Sequence, residues 1–167
     1  AQQNQSLGII ADDVDGDALM GLVLNKLHGK LKVAAVKAPG FGDNKMNILR
    51  DIAVFTGAQE LNDEAGAGID NVTNPLQYLG RATKVTISKD QTIIINNEAP
   101  REAVEERMEM IKSQIASTDS SYEREKFQER LGKLGGGVAI IRVGGASDVE
   151  VGEKKDRVVD ALNATRA

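Results

Sequence analysis

Three consecutive glycines, Gly135, Gly136 and Gly137, are the sharpest break in composition along the chain. Glycine loses more backbone freedom on folding than any other residue, so it weakens the interior of a helix or a strand. We therefore expect no regular element to run through this point. The sequence before the glycines is charged and helical in pattern, whereas the sequence after them begins with the apolar run Val138–Val143, which predicts a strand.

Short apolar runs alternate with helical patterns near the start of the chain. The predicted strands are Leu7–Ala11 and Lys32–Ala38, and the predicted helices are about Asp17–His28 and Lys45–Phe55. Asn44 precedes the second helix as a candidate N-cap, and Gly57 follows it as a candidate stop. This alternation indicates an α/β fold.

Two hairpins are predicted in the middle of the chain. Arg81–Ser88 and Gln91–Asn96 alternate around a polar turn and predict a β-hairpin, after a long loop at Leu61–Leu79. Arg101–Ser117 and Tyr122–Leu134 carry apolar residues at helical spacing and predict a helical hairpin.

The last part of the chain predicts a short strand at Asp148–Val151 and a helix at Val158–Ala167. This helix reaches the last residue without a glycine or another C-cap. We therefore expect the chain to be a piece of a longer one.

Composition disfavours several functional classes. The formal net charge is -4, whereas proteins that bind nucleic acid by neutralising phosphates usually carry a positive balance. The chain has no cysteine, which excludes disulfides, thiolate zinc sites and cysteine nucleophiles. His28 is the single histidine, so a histidine-rich metal site or a histidine-based triad is hard to build. No apolar run approaches the roughly 20 residues of a membrane-spanning helix.

Two clusters suggest chemistry but favour plainer interpretations. The first cluster comprises Asp12, Asp13, Asp15 and Asp17. Their register does not match a calcium-binding loop, and their place before a helix favours N-capping and interaction with the helix dipole. The second cluster, Gly40-Phe41-Gly42, resembles the start of a dinucleotide-binding turn, but Lys45 occupies the place of the third glycine. A plain strand-to-helix turn is the better interpretation.

The helix at Asp17–His28 has an unusually wide apolar face. At about 100° per residue its aliphatic residues cover roughly 240° of the helical wheel, whereas packing on one face needs a stripe of about 100° or somewhat more. These residues are Ala18, Leu19, Met20, Leu22, Val23, Leu24 and Leu27. Either the helix is buried on two sides, or its outer face presents an apolar surface to a partner.

Four long stretches resemble the group I chaperonins, which are the GroEL family and its mitochondrial relatives. They are Ile9–Gly16, Lys32–Asp43 (KVAAVKAPGFGD), Tyr122–Leu134 (YEREKFQERLGKL) and Gly136–Ala167. The resemblance extends over nearly the whole chain. Val14-Asp15-Gly16 and the run at residues 152–157 are more similar to the mitochondrial branch.

The resemblance implies a layered β/β/α apical domain at residues 1–136, incomplete at its N-terminus. Residues 137–167 then form a strand–helix piece of an α+β intermediate domain. Gly136 and Gly137 match the family's hinge between the two, where backbone angles must change.

The resemblance also implies site residues. Leu19, Val23 and Leu24 match positions that contact non-native polypeptides and the GroES-type co-chaperonin, and Asn25 is expected to add a hydrogen bond to a bound backbone. Asp160 matches the carboxylate that assists ATP hydrolysis in the full-length family members. Asp148 matches a residue that pairs with a basic residue of the neighbouring subunit in the ring.

For the 167 residues themselves, the resemblance implies binding of unfolded polypeptide without a metal, a cofactor or enzymatic activity. ATP and magnesium belong to the full-length family member, which forms a homo-oligomeric ring in the mitochondrial matrix or, alternatively, the bacterial cytoplasm. We expect no nucleic-acid or membrane partner. Two other interpretations stay open: a nucleotide-binding α/β enzyme domain that uses Gly40–Gly42, and a structural module whose helix at Asp17–His28 is buried on both sides.

Overall fold

The computed structural model describes residues 5–61, 72–89, 91–136 and 141–166. The chain divides into two compact units, Ala1–Gly136 and Gly137–Ala167, and the division falls within the run of three glycines. Helices and strands occur together in the first unit, in agreement with the predicted α/β class.

The first unit begins with two strands joined through a helix. β1 (Leu7–Ala11) and β2 (Val33–Lys37) are parallel and in continuous register, from Leu7 opposite Val33 to Ala11 opposite Lys37. Parallel neighbours need a long crossover connection, and α1 (Gly16–Leu27) supplies it. The predicted strands and helix are therefore confirmed to within a few residues.

The second helix, α2 (Gly42–Thr56), begins earlier than predicted. Phe41 occupies its N-cap position without a side-chain hydrogen bond, so the prediction that Asn44 caps this helix is wrong. The positive φ angles of Gly40 and Gly42, 86° and 53°, let the chain turn sharply from β2 into α2. The helix ends as predicted at Gly57, whose φ of 70° places it in the left-handed region typical of a helix stop.

Two hairpins complete the first unit, as predicted. β3 (Lys84–Ile87) and β4 (Thr92–Ile95) pair antiparallel. α3 (Arg101–Ser117) and α4 (Ser121–Gly135) pack against each other and against α2. Residues 62–71 of the predicted loop at Leu61–Leu79 lie outside the described residues, and its last part contains a 3₁₀ turn at Pro75–Tyr78.

Few apolar side chains are buried in the described parts of the chain. Val33 and Ile111 are the buried hydrophobic residues there, and Ile111 on α3 is completely inaccessible to solvent. The helix that carries Ile111, α3, packs against both α2 and α4.

The second unit consists mainly of α5 (Asp148–Arg166), which is much longer than the predicted final helix. The prediction of a strand at Asp148–Val151 is wrong, because these residues form the first turn of α5. Hydrogen bonds at the helix start outweigh the β-propensity of two valines there. The Ser147 hydroxyl accepts the Glu150 N–H, and the Glu150 carboxylate accepts the Ala146 N–H.

The strand predicted at Val138–Val143 is not observed in its described part. Residues 138–140 lie outside the described residues, and residues 141–143 form neither helix nor strand. Among the helices that the structure describes, none is sufficiently long and apolar for a membrane crossing.

Candidate functional site

The outer face of α1 is an exposed apolar surface. Leu19 and Val23 expose 44% and 45% of their area, and Leu24 exposes 48%. No residue of α1 is buried. Burial of this helix on both sides, one of the two interpretations of its wide apolar face, therefore does not hold within the described residues. Exposed aliphatic rows of this kind mark interaction surfaces.

Met20 and Leu27 enlarge this surface beyond the residues singled out from the sequence. They expose 60% and 77% of their area, more than Leu19, Val23 or Leu24. We call these five residues of α1 the apolar face. The helical wheel already placed Met20 and Leu27 on it, so their contribution was visible in the periodicity alone.

Asn25 is less available to a ligand than expected. Its side-chain amide donates to the Gly21 carbonyl at 2.8 Å, and the residue is half-buried. This bond occupies part of the donor capacity that a bound backbone would need. The side-chain oxygen of Asn25 has no partner within the described residues.

Two ion pairs hold the loop that leads into α1. Lys37 at the end of β2 donates to Asp13 at 2.9 Å, and Lys45 of α2 donates to Asp12. The hydrogen bond from Lys37 and one from the Val14 N–H lower the pKa of Asp13, while the Asp13 carboxylate raises the pKa of Lys37. These lysines anchor the entry to α1 on both neighbouring elements.

The predicted capping role of the four aspartates needs correction. Asp15 occupies the N-cap position of α1 but makes no side-chain cap hydrogen bond, and Asp17 lies in the first turn. Asp12 and Asp13 form ion pairs instead, because lysines of β2 and α2 lie within reach. Interaction with the helix dipole fits the original interpretation for Asp15 and Asp17, which both lie at the helix start.

Backbone hydrogen bonds close the other end of α1. The Leu24 carbonyl accepts the His28 N–H at 3.0 Å, and the Asn25 carbonyl accepts the Lys30 N–H at 2.9 Å. Gly29, with a φ of 69°, makes the reversal possible. His28 is exposed here, and its side chain makes no hydrogen bond or ion pair among the described residues.

The Gly40-Phe41-Gly42 turn connects β2 to α2 and leaves Phe41 exposed. Lys45, which stands where a dinucleotide-binding turn needs its third glycine, is engaged with Asp12. A Cβ atom at Gly40 would lie 3.1 Å from the Asn44 side-chain nitrogen, so the turn is closely packed. These features fit the plain strand-to-helix turn better than a nucleotide site.

A buried charge cluster joins α2, α3 and α4, and sequence reasoning missed it. The Asp51 carboxylate accepts hydrogen bonds from Arg107 Nε at 2.8 Å and from Arg130 Nε and Nη2 at 2.7 and 3.0 Å. Arg130 is only 3% exposed, and its guanidinium lies 5.8 Å from the Phe127 ring centroid. The available signal was a charged residue at an otherwise apolar position on each of three helices.

The remaining candidate residues lie on parts of the chain other than α1. Asp148 and Asp160 are exposed on α5, and twelve residues of helix separate them by about 18 Å. Gly136 ends α4 by donating its N–H to the Gly132 carbonyl at 2.9 Å, and Gly137 lies outside the described residues.

Candidate metal ligands do not cluster within the described residues. No three histidine, cysteine, aspartate or glutamate residues come together there as metal ligands. Asp160 supplies one exposed carboxylate, which by itself does not make a binding site for magnesium or ATP.

Comparison with known proteins identifies the family. The chain is 61% identical, over all of its 167 residues, to the protein named "Chaperonin CPN60, mitochondrial" from Euglena gracilis. The chain belongs to the group I chaperonins. It spans 29% of the length of this relative, and no protein-family model matches it. The relative is mitochondrial, which supports the mitochondrial matrix over the bacterial cytoplasm.

The fold is also that of a chaperonin. The structure superposes with a TM-score of 0.73 on the chaperonin gp146 from the bacteriophage EL 2 (Pseudomonas aeruginosa), which was crystallised in the presence of ATP-BeFx. The match covers 99% of this chain and 32% of the phage protein at 23% sequence identity. The mixed helix and strand arrangement is therefore an α/β chaperonin fold.

Proposed function

We propose that this chain acts as the polypeptide-capturing part of a group I chaperonin and binds unfolded proteins on the apolar face of α1. The observation that carries the proposal is the exposure of Leu19, Val23 and Leu24 together on one helix. Burial of aliphatic surface is non-directional, so such a face accepts many unrelated unfolded segments. The same face would receive a GroES-type co-chaperonin.

Single capture sites of this kind bind weakly. Burial of apolar area contributes about 25 cal/mol/Å², and the cost of ordering both partners offsets much of it. A homo-oligomeric ring would present several copies of the apolar face to one polypeptide and gain affinity through multivalency. Other subunits of such a ring are therefore part of the proposal.

The decisive experiment measures whether the chain slows aggregation of a chemically unfolded protein, followed by light scattering. The Leu19→Glu plus Val23→Glu variant places two charges on the apolar face, and we expect it to lose protection because burying a charge against apolar segments is costly. Circular dichroism of both forms checks that they fold alike.

The control variant is Val159→Glu plus Leu162→Glu on α5, where both side chains are exposed to a similar extent, 42% and 48%. We expect this variant to protect as well as the wild type. Equal loss in both double variants would mean that any exposed aliphatic pair suffices, and equal protection by all three proteins would contradict the role of α1.

Further roles concern a full-length chaperonin. We propose that Asp160 assists ATP hydrolysis, that Asp148 pairs with a basic residue of a neighbouring subunit, and that Gly136 and Gly137 form a hinge. The units themselves would be apical-domain and intermediate-domain segments, at residues 1–136 and 137–167. Their shared boundary at the run of glycines supports this assignment. ATP and magnesium would bind mainly through residues outside these 167.

A further inference from the structure

The C-terminal end of α1 combines the apolar face with a basic group of side chains. Leu27, the most exposed residue of the apolar face, lies directly after Lys26. Lys30 follows within the reversal that closes the helix, and Lys32 directly precedes β2. All three lysines are exposed. We call Lys26, Lys30 and Lys32 the basic rim.

The basic rim has no acidic partner within the described residues. By contrast, Lys37 and Lys45, which lie at the loop before α1, are paired with Asp13 and Asp12. Three unpaired positive charges next to an apolar surface are unusual in a chain whose net charge is -4.

Helix capping does not explain the basic rim. Lysines near a helix C-terminus often hydrogen-bond its last carbonyl groups. Here the carbonyls of Leu24, Asn25 and Lys26 already accept backbone N–H groups of the reversal, at 2.9 to 3.2 Å. No lysine side chain of the rim donates to them in the described structure. The three ammonium groups are therefore free to meet a ligand.

The opposite end of α1 carries the opposite charge. Asp15 and Asp17 lie at the helix start and form no ion pair within the described residues. A helix of twelve residues separates the two ends by about 18 Å. A bound segment therefore meets negative charge at one end of the apolar face and positive charge at the other.

We infer that α1 prefers apolar polypeptide segments that carry acidic residues on one flank, with those residues placed at the basic rim. The inference rests on the proposed function and adds a charge preference to it. The occupant follows from charge complementarity, since carboxylates next to an apolar run match the rim and the apolar face together.

The test uses the full chain and three fluorescent peptides with the same aliphatic core and a flank of two glutamates, two glutamines or two lysines. Binding is measured by fluorescence anisotropy at low salt and at about 1 M salt. At low salt we expect the glutamate peptide to bind roughly fivefold tighter than the glutamine peptide, a few exposed ion pairs giving this order of effect. High salt should remove the difference by screening.

Two double variants locate the effect. Lys26→Gln plus Lys30→Gln leaves only Lys32 of the basic rim, so it should strongly reduce the preference for the glutamate peptide while keeping affinity for the glutamine peptide. Lys84→Gln plus Lys155→Gln removes the same charge from exposed lysines of β3 and α5 and should keep the preference. Circular dichroism checks that both variants fold.

The outcomes separate the two proposals. Equal binding of all three peptides would overturn the charge preference and leave capture by α1 intact. Failure of every aliphatic peptide to bind would overturn capture itself. A fourth peptide with glutamates and a glycine–serine core must bind much more weakly than the glutamate peptide, because equal binding would show attraction to charge alone and overturn the inference.

Discussion

The apolar face of α1 and the packed helices α2, α3 and α4 use the same kinds of side chain in opposite ways. On α1 most of the aliphatic residues are exposed, and exposed ion pairs hold only the loop before the helix. Among the three packed helices, Ile111 is completely buried and two arginines enclose the carboxylate of Asp51. The comparison indicates that one part of the unit provides stability and the other leaves its apolar surface available.

This division of roles has a physical reason. A surface that captures unfolded chains, as we propose for α1, must keep apolar area in water, so it gives up the burial that normally stabilises a helix. The stability must then come from elsewhere in the same unit. Experiments on the two regions should therefore measure the free energy of unfolding and the binding of polypeptide separately.

The largest expected effect is that of Asp51→Asn. This change leaves the guanidinium groups of Arg107 and Arg130 without their shared buried counter-ion, and breaking a buried pair in this way typically costs about 3–5 kcal/mol. Urea denaturation of the 167-residue chain should show a correspondingly lower midpoint.

Asp119→Asn is the matched control, because Asp119 is exposed and has no partner within the described residues. We expect it to change the free energy of unfolding by less than about 1 kcal/mol. Equal effects of the two substitutions would mean that the buried cluster is not what stabilises the three-helix contact.

Shortening one aliphatic side chain in each region should have a smaller effect on the free energy of unfolding. The effect should also differ between the two regions. Ile111→Ala should cost about 2–5 kcal/mol because it leaves a cavity in a filled site. Leu27→Ala should stay within about 0.5 kcal/mol, since most of that side chain is already in water.

Peptide binding should show the reverse order for these two variants. Without denaturant, and with both variants folded, Leu27→Ala should weaken binding of an aliphatic peptide. Ile111→Ala should leave this binding unchanged. If Leu27→Ala destabilised the chain as much as Ile111→Ala, the apolar face would be part of the core and the comparison would fail.

Hydrophobic periodicity and the positions of glycine residues predicted most elements of the first unit. The β1–α1–β2 succession, both hairpins and the stop at Gly57 follow from local patterns that tertiary contacts reinforce. The predicted start of α2 was wrong. Asn44 is a residue type that often caps a helix, but the turn at Gly40 and Gly42 allows the helix to begin earlier.

Contacts between residues far apart in the sequence could not be predicted from local patterns. The ion pairs of Asp12 and Asp13 join residues 33 and 24 positions apart, and Asp51 meets Arg130 across 79 positions. Nothing in the periodicity of one helix indicates which charge of another helix will approach it. The apolar face was predictable because it depends on one helix alone, whereas its exposure depends on what packs around it.

The smallest expected effect concerns the loop that leads into α1. The hydrogen bond from Lys37 lowers the pKa of Asp13 below its ordinary value of 3.8, so the pair stabilises the folded state fully above that value. The contribution is lost as the pH falls through the lowered folded-state pKa, when the carboxyl group becomes protonated. Because the pKa of Lys37 is raised, this side chain loses its positive charge, and with it the ion pair, only in strongly basic solution.

An NMR titration of the side-chain carboxyl carbons measures this pKa directly, and Lys37→Met provides the comparison. We expect the pKa of Asp13 to be higher in the variant, because the hydrogen bond and the positive charge are both gone. In the wild type, the backbone signals of the first turn of α1 should shift together with the Asp13 titration, since this ion pair anchors the entry to the helix. An unchanged Asp13 pKa in the variant would show that Lys37 does not hold the Asp13 carboxylate, and the pair of Lys45 with Asp12 would then be the single anchor of the loop.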